Sequence, residues 1–188
     1  MNPHRRTTLI GLGALALAAA GLAGCSSAPG ELSISQHDLQ RKLDAQFPRS
    51  YPLAGVLQLQ LQSPRLTLLP ETNRLRAVSE LQASSPLLGE RTYQGALDVE
   101  FGLRWEPSDH TVRARDLFLH ALTIDGLPAS LAKLAQGAGA LLMQAVLEDG
   151  VLYQLPEKDI ERLRRMRVQP GAITVTQHGL VLQVEPTQ

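Results

Sequence analysis

Cysteine occurs once in the 188 residues, at Cys25, so no internal disulfide is available to staple the fold. Aromatic side chains are scarce, at 4%, and a core must be built from Leu, Val, Ile and Ala. Neither sign of charge prevails, with 18 basic residues against 18 acidic ones. Nucleic-acid binders carry a basic excess on one face, and nothing here points to that class. Motifs of catalysis are missing too. The chain has no G-x-S-x-G, H-E-x-x-H, C-x-x-C or phosphate-loop pattern. Gly137 and Gly139 begin a G-x-G, but they sit inside a helical pattern and the next required glycine is absent. His37, His110, His120 and His178 are not spaced as ligand pairs on one helix, and His110 and His178 fall at turns. Asp38 and Asp44 read as a helix cap and a solvated face rather than an acid–base pair. No enzyme, metal site or cofactor is expected.

What is present starts at the N-terminus. Arg5 and Arg6 precede an apolar run from Leu9 to Ala20, the pattern of an export signal. Leu22-Ala23-Gly24-Cys25 then looks like a bacterial lipobox, in which the cysteine is acylated and becomes the first residue. The plainer alternative is an ordinary signal peptide followed by a stray cysteine. Thr7 and Thr8 after the arginine pair favour ordinary secretion over twin-arginine export. The expected organisation is a signal peptide over 1–24, a lipidated tether over 25–31 and a single domain over 32–188. Loss of 1–24 removes Arg5 and Arg6 and no acid, so the mature 164 residues carry 16 basic and 18 acidic side chains. That length suits one domain with a real core. With Cys25 acylated no thiol remains for redox chemistry. The small, polar tether Ser26 to Gly30 reaches at most roughly 17 Å when extended, which keeps the domain close to the membrane. Ser26, where inner-membrane lipoproteins carry Asp, resembles the outer-membrane-sorted class. The expected location is the periplasmic face of the outer membrane, held by the lipid anchor.

Periodicity predicts the elements of the domain. Ser33-Ile34-Ser35 leads into a helix over Gln36 to Phe47, with Ser35 and Asp38 as a capping box, apolar Leu39, Leu43 and Phe47, and Pro48 as the stop. A turn is expected at Tyr51-Pro52. Leu57, Leu59 and Leu61 then alternate with glutamines as a half-buried strand, and Leu66 and Leu68 continue in opposite phase beyond a bend at Ser63-Pro64. Leu75, Ala77, Leu81 and Ala83 mark a second strand. Tyr93, Leu97, Val99, Phe101, Leu103 and Trp105 mark a third, and Thr111 to Ile124 a fourth. The result is an antiparallel meander with one dry face, which needs a cover.

The cover expected from the sequence is Leu127 to Leu147, 21 residues whose only charge is Lys133. As a helix it would run roughly 30 Å. Lys133, Gln136 and Gln144 lie mid-segment and are too costly in lipid, so a buried core helix is preferred to a membrane span. A short strand over Val151 to Leu155, a charged helix from Pro156 and strands around a Pro170-Gly171 turn and a His178-Gly179 turn complete the chain. Arg162, Arg164, Arg165 and Arg167 could touch anionic head groups. They also lie at a helix C-terminus, where cations are favoured in any case.

This order of elements, with Val151-Leu152-Tyr153-Gln154-Leu155 and Val168-Gln169-Pro170-Gly171-Ala172-Ile173-Thr174-Val175, resembles the YceB-like bacterial lipoproteins. The resemblance spans essentially the whole mature chain. The family is uncharacterised in function and offers no catalytic residues to carry over. It implies an α+β fold similar to the tubular lipid-binding (TULIP) proteins. In that fold a strongly bent antiparallel meander sheet wraps around one long helix in the C-terminal half, here joined by a short N-terminal helix. The strand Leu180 to Val184 departs from the pattern and is expected to lengthen a sheet edge or meet a partner. A groove is then expected over the small-residue stretch of the long helix, lined by Ala135, Ala138, Gly139 and Leu142 and faced by Leu57, Leu59, Val99 and Phe101. It would suit an acyl chain. The competing expectation is a dry core in a structural lipoprotein that docks another envelope protein.

Overall fold

A computed structural model describes residues 30–53, 55–89, 91–137 and 150–187. The chain runs through β1 (Glu31–Ser35), α1 (Gln36–Asp44), β2 (Arg49–Leu53), β3 (Leu57–Leu61) and β4 (Arg65–Leu69). A long meander follows: β5 (Arg74–Ser84), β6 (Thr92–Glu106) and β7 (Thr111–Ile124). Then come α2 (Ala129–Gly137), β8 (Val151–Gln154), α3 (Glu157–Met166), β9 (Val168–Val175) and β10 (Gly179–Pro186). Seven strands curl into a half-barrel ordered β2-β3-β5-β6-β7-β8, with β4 also on β5. β1, β10 and β9 make a second, three-stranded sheet, and β9 meets β6. One apolar cluster joins both sheets.

Alternation explains the half-barrel. Leu57, Leu59, Leu61, Leu75, Ala77, Leu81 and Ala83 turn inward, as do Leu97, Val99, Phe101 and Leu103 of β6. The expected bend at Ser63-Pro64 separates β3 from β4, which lie on successive halves of β5: Leu61 opposite Leu81, Leu66 opposite Ala77. Proline has no N–H for the ladder there, and α1 supplies the missing bonds. The Gln40 side-chain amide donates to the Pro64 carbonyl at 2.8 Å and accepts from the Leu66 N–H at 3.0 Å. One turn earlier, Gln36 donates to the Leu66 carbonyl at 3.2 Å. Ser35 caps the helix as the spacing predicts, with the Asp38 N–H donating to Ser35 Oγ at 3.1 Å, but the Asp38 carboxylate accepts from that hydroxyl, at 2.8 Å, rather than from the Ser35 N–H of a full capping box.

The α+β expectation of a sheet wrapped around one long helix does not hold. The described residues are mostly sheet, at 56%, and the helices among them are short. Of the expected Leu127–Leu147 helix the described part is α2, nine residues ending at Gly137. Residues 138–149 lie outside the described residues. The apolar faces are buried instead by many short pieces: Leu39 and Leu43 of α1, Tyr51 of β2, Leu131 and Ala135 of α2, Ile160 and Leu163 of α3, and Ile173, Val175, Leu180 and Leu182 of the small sheet.

Two smaller expectations are also corrected. Tyr51-Pro52 is not a turn but the middle of β2, where Tyr51 lies opposite Leu59. Proline is tolerated because β2 is an edge strand. Pro170-Gly171 lies within β9, where the register with β10 shifts between Leu182 and Val184 and absorbs the break. Leu180 to Val184 therefore belongs to the middle strand of the small sheet, not to an edge.

Candidate functional site

The two faces of the half-barrel differ in chemistry. On the outer face, β5, β6 and β7 carry charge pairs. Arg76 binds both oxygens of Asp98, at 2.8 and 2.5 Å, and Glu100 pairs with Arg74 and with His120 Nε2 at 3.1 Å. The Arg76 hydrogen bonds hold the Asp98 carboxyl below its ordinary pKa, and those from His120 and then Arg74 do the same for Glu100. Every member of this set has an opposite partner, which makes it a solvated structural lattice. Among the described residues no group of His, Cys, Asp and Glu could hold a metal ion.

The inner face carries the candidate site. Between α1 and the concave sheet, the described residues border a cavity of about 80 Å³. Its floor is Ala77 of β5, Leu97, Val99 and Phe101 of β6, and Ala114 and Leu117 of β7. Leu43 of α1, Phe47, Tyr51 of β2 and Leu61 of β3 form one wall, and Gly150, Val151 and Leu152 form the other. Three polar contributors, Ser79, Gln46 and Arg49, are engaged in bonds of their own. The Ser79 hydroxyl donates to the Gln62 carbonyl at 2.6 Å. At the rim the Arg49 guanidinium donates to the Gln46 carbonyl at 3.2 Å and to Gln46 Oε1 at 3.0 Å, and lies 5.9 Å from the Phe47 ring centroid. No pair of groups converges there for acid–base or nucleophilic work. A polar ligand in such a space would surrender its water without replacement hydrogen bonds, so the lining is chemically matched to apolar groups. Its volume lies well below the roughly 300–1,000 Å³ of ordinary ligand pockets, so it fits a narrow flexible segment and not a rigid ring system.

Of the residues expected to line a groove, Val99 and Phe101 border this cavity. Leu57 and Leu59 are buried in β3 away from its lining. Ala135 is buried in α2, where it borders a separate depression with Leu122, Ile124 and Leu127. Ala138, Gly139 and Leu142 lie outside the described residues, as does Cys25. Sequence reasoning missed Tyr51, whose segment looked like a turn, and the wall from Gly150 to Leu152. For Leu43 and Phe47 the signal was there: both lie on the apolar stripe of the helix expected over Gln36 to Phe47, although α1 itself ends at Asp44 and Phe47 follows it.

No protein-family model matches the chain, and no curated protein matches it at a significant level. A solved structure titled as the crystal structure of lipopolysaccharide binding protein is similar to it, with 17% identity and a TM-score of 0.32 over 78% of this chain and 45% of that one. This chain thus spans less than half of that protein, and at that TM-score the likeness carries no argument about the site.

Proposed function

We propose that this protein is a lipid-anchored envelope protein that holds an apolar chain, such as an acyl tail, in the concave face of its half-barrel. The observation that carries this is the cavity between α1 and β5–β7, predominantly apolar on its floor and both walls, with the Ser79 hydroxyl spent on the backbone. The anchor part rests on Leu22-Ala23-Gly24-Cys25 behind an export signal, and the outer-membrane location on Ser26. Membership of the YceB-like lipoproteins belongs to the same proposal and rests on the chain order and the two segments quoted above. The test is native mass spectrometry of the purified protein for a co-purifying lipid, together with titration of a fluorescent apolar probe. Ala77→Phe should fill the cavity, leave the fold in place and abolish probe binding. A parent protein that carries no lipid and binds no probe overturns the reading.

One observation favours a second reading, a non-enzymatic lipoprotein that docks another envelope protein. β8 pairs only with Thr111 to Arg113, so among the described residues the outer half of β7 has no strand beyond it. Phe118 stands there 58% exposed, edge-on to His120 with ring centroids 4.8 Å apart. A dry cavity with an occupied β7 edge is the outcome that selects this reading.

A further inference from the structure

The arginine run at the end of α3 presents its charge outward beside an exposed apolar side chain. Ile160 and Leu163 are buried, so α3 lies with one face on the core and turns Arg162, Arg164 and Arg165 outward. Arg167 ends the helix with φ of +54°, a left-handed conformation that glycine ordinarily occupies. An arginine is held in that strained position. Its carbonyl accepts from the Thr187 N–H at 3.0 Å and from the Thr187 hydroxyl at 2.9 Å. Met166 stands among these arginines 51% exposed. The Arg164 contact to Glu157, at 3.5 Å, joins two well-exposed side chains, while Arg162, Arg165 and Arg167 have no carboxylate partner among the described residues. That left-handed residue closes the helix, its N–H on the Arg164 carbonyl at 3.1 Å, but closing a helix does not require an exposed methionine among the cations.

The position of Gly30 points to the partner. The Gly30 carbonyl accepts from the Val184 N–H at 2.9 Å, three residues before the Thr187 that binds Arg167. Three extended residues span roughly 10 Å. The segment leading back to Cys25 therefore leaves the fold beside the arginine cluster, and its five residues reach at most roughly 17 Å further. An acyl group on Cys25 would set this end of the molecule against the bilayer. We infer that Arg162, Arg164, Arg165 and Arg167, with Met166 between them, form a docking surface for a bilayer bearing anionic phospholipid head groups. The arginines pair with lipid phosphate and Met166 enters the head-group boundary. The orientation, though not the charge complementarity, rests on the anchor reading above.

The test uses the full-length protein as purified from membranes, with Met166→Cys labelled by an environment-sensitive fluorophore. Vesicles are phosphatidylcholine alone or phosphatidylcholine with phosphatidylglycerol. A blue shift and quenching by lipid-borne quenchers are expected only with phosphatidylglycerol, and both should fade with salt. Triple charge reversal, R164E with R165E and R167E, should abolish the shift, while an unchanged circular dichroism spectrum shows the fold intact. On wild-type protein, protection of Met166 from peroxide in the same vesicles gives a readout without the label. Each arginine removed should weaken partitioning roughly five-fold at low salt. Intact mass reports acylation separately. A chain without acyl groups, made with Cys25→Ser so that only Met166→Cys takes the label, that still shows the anionic-lipid shift keeps the docking surface and removes the anchor. Emission that is the same in both vesicle types, acylated or not, overturns the proposal.

Discussion

The side chain of Asn73 and the backbone of Val175 form the polar joint between the two sheets. The Val175 N–H donates to Asn73 Oδ1 at 2.6 Å, and Asn73 Nδ2 donates to the Ile173 carbonyl at 3.0 Å. The amide thus acts as one extra rung on β9, delivered from the turn before β5. Asn73 has φ of +54°, a conformation that Asn tolerates better than most side chains because its amide bonds locally or at close range. Asn73→Ala should cost about 1–3 kcal/mol, since it leaves backbone groups of β9 unpaired and retains a Cβ in left-handed space. Asn73→Gly removes the side chain but suits the backbone, so it should cost less than the alanine. Urea unfolding of both variants checks the order; negligible losses in both would mean that the joint bears little load, and equal losses that the left-handed backbone contributes nothing.

Gly179 opens β10 where it passes β1. A Cβ there would lie 2.0 Å from the Ile34 carbonyl oxygen and 2.9 Å from Ser35 Cα, both backbone atoms with nowhere to go. Gly179→Ala is therefore expected to push β1 off β10 and to cost at least the 1–3 kcal/mol of a typical overpacking, or about that. Hydrogen exchange should show the amides of Leu32 and Ile34 losing protection first. A variant with parental stability and exchange would contradict this packing.

Acid should loosen the outer lattice. Asp98 and Glu100 have folded pKa values below their ordinary ones, held there chiefly by hydrogen bonds from Arg76 and His120 respectively. The folded protein thus binds fewer protons at these sites than the unfolded chain. Their contribution is complete above the ordinary carboxylate range and is lost as pH falls through the lowered folded values. The denaturation midpoint should be level near neutrality and decline below about pH 5. The pair Asp98→Asn with Glu100→Gln should flatten that decline, although Asp44, Glu106 and Asp109 shift in the same direction and retain part of it. An unchanged acid limb would show that the lattice does not govern it.

Cys25→Ala tests the anchor. If the cysteine is acylated, each buried methylene adds about 0.8 kcal/mol, and several chains make release negligible. The alanine variant should appear as an uncleaved or soluble species when membranes are fractionated. Recovery of mature Cys25→Ala protein in the outer-membrane fraction would end the lipoprotein reading.

Sequence alone determined whatever one element can state by itself. The period-two runs of β3, β5 and β6 name their own buried faces, because alternate side chains of a strand must point opposite ways. The bend at Ser63-Pro64 follows from a missing N–H, and the Ser35–Asp38 cap is complete within four residues. The rest depends on partners far away in the chain. β1 finds β10 with Glu31 opposite Gln183, and Asn73 reaches Ile173, pairings that no local window contains. Tyr51 looked like part of a turn until β3 offered it a strand to pair with. The cavity needs α1, three long strands and Gly150 to Leu152 in one place. The covering of the dry face was misjudged for the same reason: hydrophobic burial is non-directional, and tertiary packing alone decided that several short pieces would do what one long apolar stretch was expected to do.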